Sequence, residues 1–431
     1  MTHRILFPIV IGVATVAAGA MIPLGAQDLP PTMTVRADTL TIGRARELAR
    51  QVSPELIAAK EAVTAAAARE RQAGAFANPA FSYQREQSSG DGQTTSQNIA
   101  SLDQPVELSG LRRARITAAG LRRRAAEARL AAAVAQLDFE VTRAYASVIA
   151  ADRRSALALQ ATDAFSRAGR VSQSRLDEGD VSGYAHRRVR LEAARYAGLL
   201  AEAQLLRRSA RLTLASLVFP AGDTVAREIS LDDRFAIAPS TLSTDSLFVL
   251  AGRNRGELQA ASFEAEAAAA DARLTNRERL PIPVLTAGLK NEELAGGGTL
   301  NGFVAGVSLP LPLWDRRRGA VEAADADARR RTAEVEVVRR RIVREVGEAV
   351  EGLRAADEQL VLLRPHLGSE SAAALRAAEV AYAEGEISLV EWLDAVRAYQ
   401  EAEATFALLR AESLIRRAAV ERAVGVSLTR E

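Results

Sequence analysis

The feature that most constrains this 431-residue chain is an internal repeat of just over 200 residues. Ser53-Pro54-Glu55-Leu56 recurs as Arg255-Gly256-Glu257-Leu258, an offset of 202. Asn78-Pro79-Ala80-Phe81 aligns with Ile282-Pro283-Val284-Leu285, an offset of 204. Gln104-Pro105-Val106-Glu107-Leu108 aligns with Leu309-Pro310-Leu311-Pro312-Leu313, an offset of 205, and Arg112-Arg113 with Arg317-Arg318. Glu178-Gly179-Asp180-Val181-Ser182 recurs as Glu384-Gly385-Glu386-Ile387-Ser388, an offset of 206. Any one match arises by chance. An ordered series with a slowly drifting offset is the mark of a duplicated supersecondary unit.

Each half has the same layout. A helix is expected over about 44–76 and again over 246–278. Two short extended segments follow, over about 79–87 and 97–106 in the first half and 283–290 and 302–311 in the second. Phe303, Ala305, Val307 and Leu309 alternate with Val304, Gly306 and Ser308, so one face is more apolar, and Leu285, Ala287 and Leu289 share one face, which is strand periodicity. Loops rich in Gly, Ser and Thr join each pair. Beyond the prolines at 105, 310 and 312, Ser109 and Asp315 are the expected helix N-caps. About 65 residues of helical pattern then lead to Gly179 or Gly385, roughly 100 Å at 1.5 Å per residue. Val335, Ile342, Ala349, Ala356 and Leu363 recur every seven residues, with Val346, Leu353 and Leu360 as a second seam. Pro365 should break the second long helix; Leu159 holds the matching place in the first.

Composition agrees with this layout. Length alone suggests two or three compact domains, but 88 residues are Ala and only 4% are aromatic. Such a chain favours long helices packed through small side chains. Net charge is only +2 and the signs are interleaved, so no nucleic-acid footprint is expected. Cysteine is absent, which excludes disulfides, thiolate metal sites and a lipid-modified N-terminal Cys. Arg4, the apolar run from Ile5 to about Ala20 and the Leu24-Gly25-Ala26 site read as a secretory signal cleaved after Ala26. Four strands per chain cannot close on themselves, so closure needs several copies. Strands of about nine residues with one apolar face suit a closed barrel in an outer membrane.

These motifs resemble the TolC-type outer-membrane factors of tripartite efflux pumps over about 40–425. The carrying segments are Gln104 to Gly110, Gly306 to Arg316, Gly179 with Ser182, and Tyr382 to Ser388. The strand-exit wording looks most like the cobalt–zinc–cadmium, CzcC-like branch. The resemblance implies a mainly α fold with a small β component. Each of two repeats would be helix–strand–strand–long helix–turn–helix, and a homotrimer would close a twelve-stranded barrel over a helical periplasmic tunnel. It implies docking on a periplasmic adaptor through Glu178, Gly179 and Asp180 and through Glu384, Gly385 and Glu386. It implies a periplasmic gate at Tyr382, Glu391 and Asp394. The family often places apolar residues beside the turn glycines, where this chain is acidic; two residues beyond the second glycine it can carry a basic residue, where Ile387 stands here. Trp392 reads as packing.

The layout that follows is a signal peptide over 1–26, an N-terminal extended segment over 27–43 and a first repeat over 44–220. An equatorial linker over 221–245, a second repeat over 246–425 and a tail over 426–431 complete it. The expected function is a passive export duct linked to an inner-membrane RND-type pump in a Gram-negative outer membrane, in contact with outer-membrane lipid, with heavy-metal cations as one cargo. Drug or organic-solute efflux and a type I secretion duct remain alternatives within the same fold. A periplasmic coiled-coil adaptor is the rival from another class, though the strand pairs have no place in it. No enzyme activity, cofactor or metal site is expected. The mature chain has only His186 and His366, without ligand-spaced partners, and no phosphate-binding or HExxH motif.

Overall fold

A computed structural model describes residues 39–90, 93–220, 230–232, 243–294, 297–363 and 369–427. The signal segment, most of the linker, Pro365 and His366 lie outside these residues. Each expected first helix is in fact two: α1 (Ile42–Val52) and α2 (Pro54–Ala73), then, in the second repeat, α5 (Thr244–Asn254) and α6 (Gly256–Arg277). Pro54 accounts for the first break, because it lacks an N–H and its ring collides with the preceding turn. Ser53 adopts an extended ψ of 119° and its hydroxyl accepts the Leu56 N–H at 3.2 Å, which starts α2. The second break has no proline. Buried Arg255 is extended there, at ψ 111°, and donates to Glu257, Glu345 and the Ala423 carbonyl. Gly256 follows it so tightly against the third helix that a Cβ would lie 2.5 Å from the Ala128 carbonyl oxygen. Both breaks sit at the first repeat motif.

The helices α3 (Leu111–Asp177) and α4 (Gly183–Val218) complete the first repeat. In the second repeat, α7 (Arg318–Leu363), α8 (Ser369–Glu384) and α9 (Leu389–Val424) take their place. α3 runs unbroken through Leu159 for 67 residues, whereas α7 ends at Leu363 and α8 begins at Ser369. Neither Ser109 nor Asp315 is an N-cap. Gly110 precedes α3 at φ +71° with no side-chain cap, and Arg317 precedes α7 at φ +53°. Asp315 instead accepts the Arg317 N–H at 2.8 Å. Each strand pair leads into its long helix through a left-handed residue, and this sharp turn takes the place of a cap.

The strands β1 (Ala80–Gly90), β2 (Gln93–Pro105), β3 (Val284–Glu293) and β4 (Thr299–Ser308) form one antiparallel sheet in that order. They run closer to their loops than alternation implies. The added residues are mostly polar and are held by cross-strand bonds such as Ser89–Thr94 at 3.1 Å and Ser96–Glu293 at 2.8 Å. β4 stops at Ser308, short of Pro310, which has no N–H to give to a ladder. Ala80 pairs with Asp103, and Val284 with Ser308. The two hairpins are therefore related by 204 residues on one strand and 205 on the other, the offsets carried by the proline motifs.

The long helices enclose three apolar clusters. Leu40, Ala45, Val141, Tyr145 and Leu214 join α1, α3 and α4, and Tyr145 Oη lies 2.7 Å from the Leu40 carbonyl oxygen and 2.9 Å from that of Asp232. The corresponding helices of the second repeat enclose Leu247, Ile342, Val346, Leu353 and Val424. Here the heptad seam of α7 is buried or half-buried. The third cluster lies where α3, α4, α8 and α9 meet. Buried Ala118, Ala119, Ala125 and Ala126 of α3, with Ala267 and Ala270 of α6, let the helices approach closely.

Candidate functional site

The turns after α3 and α8 are built alike. Gly179 and Gly385 are left-handed, at φ +83° and +82°. Gly179 donates to the Leu176 carbonyl at 3.1 Å and Asp180 to that of Arg175 at 2.8 Å. Gly385 donates to Tyr382 at 3.2 Å and Glu386 to Ala381 at 2.9 Å. This pair of bonds closes a helix end around a left-handed residue, a conformation that costs glycine nothing. Ser182 then caps α4 by accepting the Ala185 N–H at 3.2 Å, and Ser388 caps α9 by accepting that of Glu391 at 3.3 Å. The turns are neighbours: Arg175 Nη2 donates to the Ala383 carbonyl at 3.3 Å. Glu178, Asp180, Glu384 and Glu386 are all exposed around them, and none carries an ion pair among the described residues. The result is a rim of four exposed carboxylates around the turns that Arg175 links.

The three expected gate residues meet different fates. Glu391 closes a capping box, its Oε2 accepting the Ser388 N–H at 2.7 Å. Hydrogen bonds from the Ser388 backbone and side chain hold its carboxyl below the ordinary range. Asp394 is exposed, one turn on, with Arg397 Nη1 at 3.8 Å. Tyr382 is half-buried and stacks on Trp392, with ring centroids 5.2 Å apart. Burial pushes its hydroxyl pKa up, against the opposing charge of Arg175.

Trp392, only 3% exposed, is the hub of the third cluster. It contacts Phe165 edge-on at 5.3 Å, and Phe165 stacks on Tyr196 at 4.5 Å. The four rings bridge both repeats at the turn end. An ion pair of Arg397 with Glu192 bridges α9 to α4 beside them. Sequence periodicity does not reveal this chain of rings, because its members come from four helices. His186 is buried, and its Nδ1 has no hydrogen-bond partner among the described residues. Among the described residues, no group of three or more His, Asp or Glu is placed to hold a metal ion.

At the sheet, the register sorts side chains by face. Phe81, Tyr83, Ala100, Leu102, Leu285, Ala287, Leu289, Phe303, Ala305 and Val307 share one face. Phe303 is 83% exposed and Leu289 73%. The other face carries Ser82, Gln84, Glu86, Gln97, Asp103, Thr286 and Lys290, linked by bonds such as Ser82–Ser101 at 2.7 Å and Gln97–Glu86 at 2.6 Å. A sheet bare and apolar on one side and polar on the other fits lipid against one face and water against the other. No helix among the described residues is long and apolar enough to cross a membrane.

Comparison with known proteins agrees with this geometry. Residues 247–426 match the family of outer membrane efflux proteins. Over 398 residues the chain is 26% identical to the cobalt-zinc-cadmium resistance protein CzcC of Cupriavidus metallidurans, covering 92% of this chain and 93% of that protein. It is 29% identical over 283 residues to the nickel-cobalt-cadmium resistance protein NccC of Alcaligenes xylosoxydans xylosoxydans, covering 63% and 61%. Its fold superposes on the outer-membrane channel OprN with a TM-score of 0.75 at 21% identity, covering 90% of each chain.

Proposed function

We propose that the chain is an outer membrane efflux protein, a reading supported by the match over residues 247–426 and by its TolC-like fold, and that three copies build the export duct of a tripartite pump. The observation that carries this reading is the sheet. Among the described residues it has one exposed apolar face, one polar face and two unpaired edges, and no helix is long and apolar enough to cross a bilayer. Twelve strands from three chains would close those edges, with the apolar faces toward lipid. With no catalytic constellation in its sequence, the duct is passive, and the pump supplies the energy. Outer-membrane fractionation with a native-mass measurement and single-channel recording tests it. An outer-membrane trimer that conducts is expected, and a soluble periplasmic monomer would sink the reading.

The acidic turns are proposed as the contact for a periplasmic adaptor whose docking surface is basic. Attraction between exposed charges is screened within about 8 Å at physiological salt. Adaptor binding should therefore weaken as salt rises, and it should weaken when Glu384→Gln and Glu386→Gln are combined. Salt-independent binding would count against the contact.

The carboxylates of Glu391 and Asp394 are proposed as a cation-attracting ring at the periplasmic entrance. Tyr382 joins them once its stack on Trp392 opens. Glu391→Gln with Asp394→Asn is the informative pair, because glutamine keeps the capping box. Conductance should rise or cation block should fall; unchanged currents in a trimer of normal stability would remove the gate. Heavy-metal cations are the proposed cargo, on the strength of what the two curated relatives are named for. Loss of the chain should lower tolerance to cobalt, zinc or cadmium salts. Unchanged metal tolerance with retained organic solutes would transfer the duct to organic cargo.

A further inference from the structure

The repeat determines which residues of two neighbouring copies face each other, and we propose the register. Within one chain, the first hairpin joins the second through β2 and β3, with Leu102 opposite Ala287 and Ser101 opposite Gly288. β4 is the repeat counterpart of β2, shifted by 205 residues, and β1 is the counterpart of β3, shifted back by 204. If all hairpins in a closed ring are joined alike, the joint between copies is β4 against the next copy's β1, with each pairing carried over by those shifts. Leu102 opposite Ala287 becomes Val307 opposite Tyr83. Ser101 opposite Gly288 becomes Gly306 opposite Gln84.

Three observations support this register. β1 and β4 are the two strands with a free edge among the described residues, and they match in length, eleven residues against ten. The proposed pairing runs without a gap from Ser308 opposite Ser82 to Leu300 opposite Gly90. It also keeps the faces continuous. Val307, 72% exposed, meets Tyr83, 60% exposed, on the apolar side. A slip of one residue would turn one copy's apolar face to the polar side of its neighbour. A slip of two would preserve the faces but break the equivalence with β2 and β3. The joint is heterologous, and a heterologous joint closes into a ring when its rotation permits.

This inference rests on the trimeric reading, and disulfide trapping tests it separately. The chain has no cysteine of its own, so each variant carries only introduced thiols. Val307→Cys with Tyr83→Cys and Gly306→Cys with Gln84→Cys are the matched pairs, one from each of the two alternating antiparallel spacings. Val307→Cys with Phe81→Cys and Val307→Cys with Arg85→Cys are slipped by two residues in either direction. Within one chain β1 and β4 are three strand spacings apart, about 14 Å, too far for an internal bridge. Each variant is first checked as a trimer by native mass in outer-membrane extracts. A matched variant that fails to assemble is replaced by Ala305→Cys with Arg85→Cys. Mild oxidation should shift the matched variants from a monomer band to a covalent trimer on a non-reducing gel, and leave the slipped ones largely monomeric. Trapping of a slipped pair in preference to the matched ones overturns the register. So does failure of every matched pair in an intact trimer. A wild-type protein that is not a trimer instead defeats the underlying reading.

Discussion

At the scale of single residues, the gate proposed for Glu391 would give one carboxylate two duties. It completes the cap of α9, and it stands one turn before exposed Asp394. Its lowered pKa sets the sign of a pH effect. A depressed carboxylate stabilises the fold above its unfolded value, and that contribution is lost as pH falls through the folded value. Protection of the amides of residues 389–392, taken relative to their intrinsic exchange rates, should therefore fall on acidification, and Ser388→Ala should lower it at neutral pH, at a cost of about 1 kcal/mol to the helix start. No change in exchange in Ser388→Ala would mean the cap does not hold this turn. Gly385 needs its left-handed φ and nothing else, since a Cβ there would touch nothing within 4 Å. Gly385→Ala should cost about 1 kcal/mol, from backbone strain alone, in thermal unfolding. The glycines and Ser388 were legible in the sequence as turn marks. The stack of Tyr382 on Trp392 was not, because their ten-residue separation spans a turn and two helices.

At the scale of elements, the helix breaks before α2 and α6 have different causes at equivalent places. Pro54 does the work locally, in one residue. Arg255 does it through tertiary partners, and it is 2% exposed. Burial opposes its charge, but the bonds and charges of Glu257 and Glu345 prevail and raise its pKa. For Glu257, burial pushes the carboxyl up and Arg255 more than reverses this, so its pKa is lowered. Stability from this pair is accordingly present above the ordinary carboxylate value and fades as pH drops. Arg255→Met should destabilise the chain by about 3–5 kcal/mol, because it leaves two carboxylates facing a buried gap. It should also reverse the local pH trend, since Glu257 without its partner takes up a proton more readily. Denaturant melts at pH 7 and pH 4 check both points, and a loss below about 1 kcal/mol would rule out a structural role for the pair. A single helix over 246–278 is the natural reading of a segment without proline, and only packing against α3, α7 and α9 explains why it bends.

At the scale of the whole molecule, the exposed face of the sheet determines where the chain can reside. Phe303→Lys on the apolar face should cost about 2–4 kcal/mol near a bilayer midplane. It should reduce the outer-membrane trimer relative to wild type. Gln84→Lys on the polar face should not. Equal yields of the two variants would argue against lipid on the Phe303 side. The apolar alternation was readable strand by strand, yet the agreement of all four strands on one face came from the register, since a one-residue slip reverses a strand.

The duplication, the strand pairs, the turn glycines and the heptad seam were determined by the sequence alone. Each rests on local spacing or on a residue whose backbone preference acts by itself. Tertiary structure decided the rest: the break at Arg255, the left-handed exits in place of N-caps, the linked rings at the turns and the pairing of β2 with β3. Those outcomes depend on groups brought together from distant parts of the chain, where buried charge, close backbone approach and hydrogen-bond register outweigh local propensity.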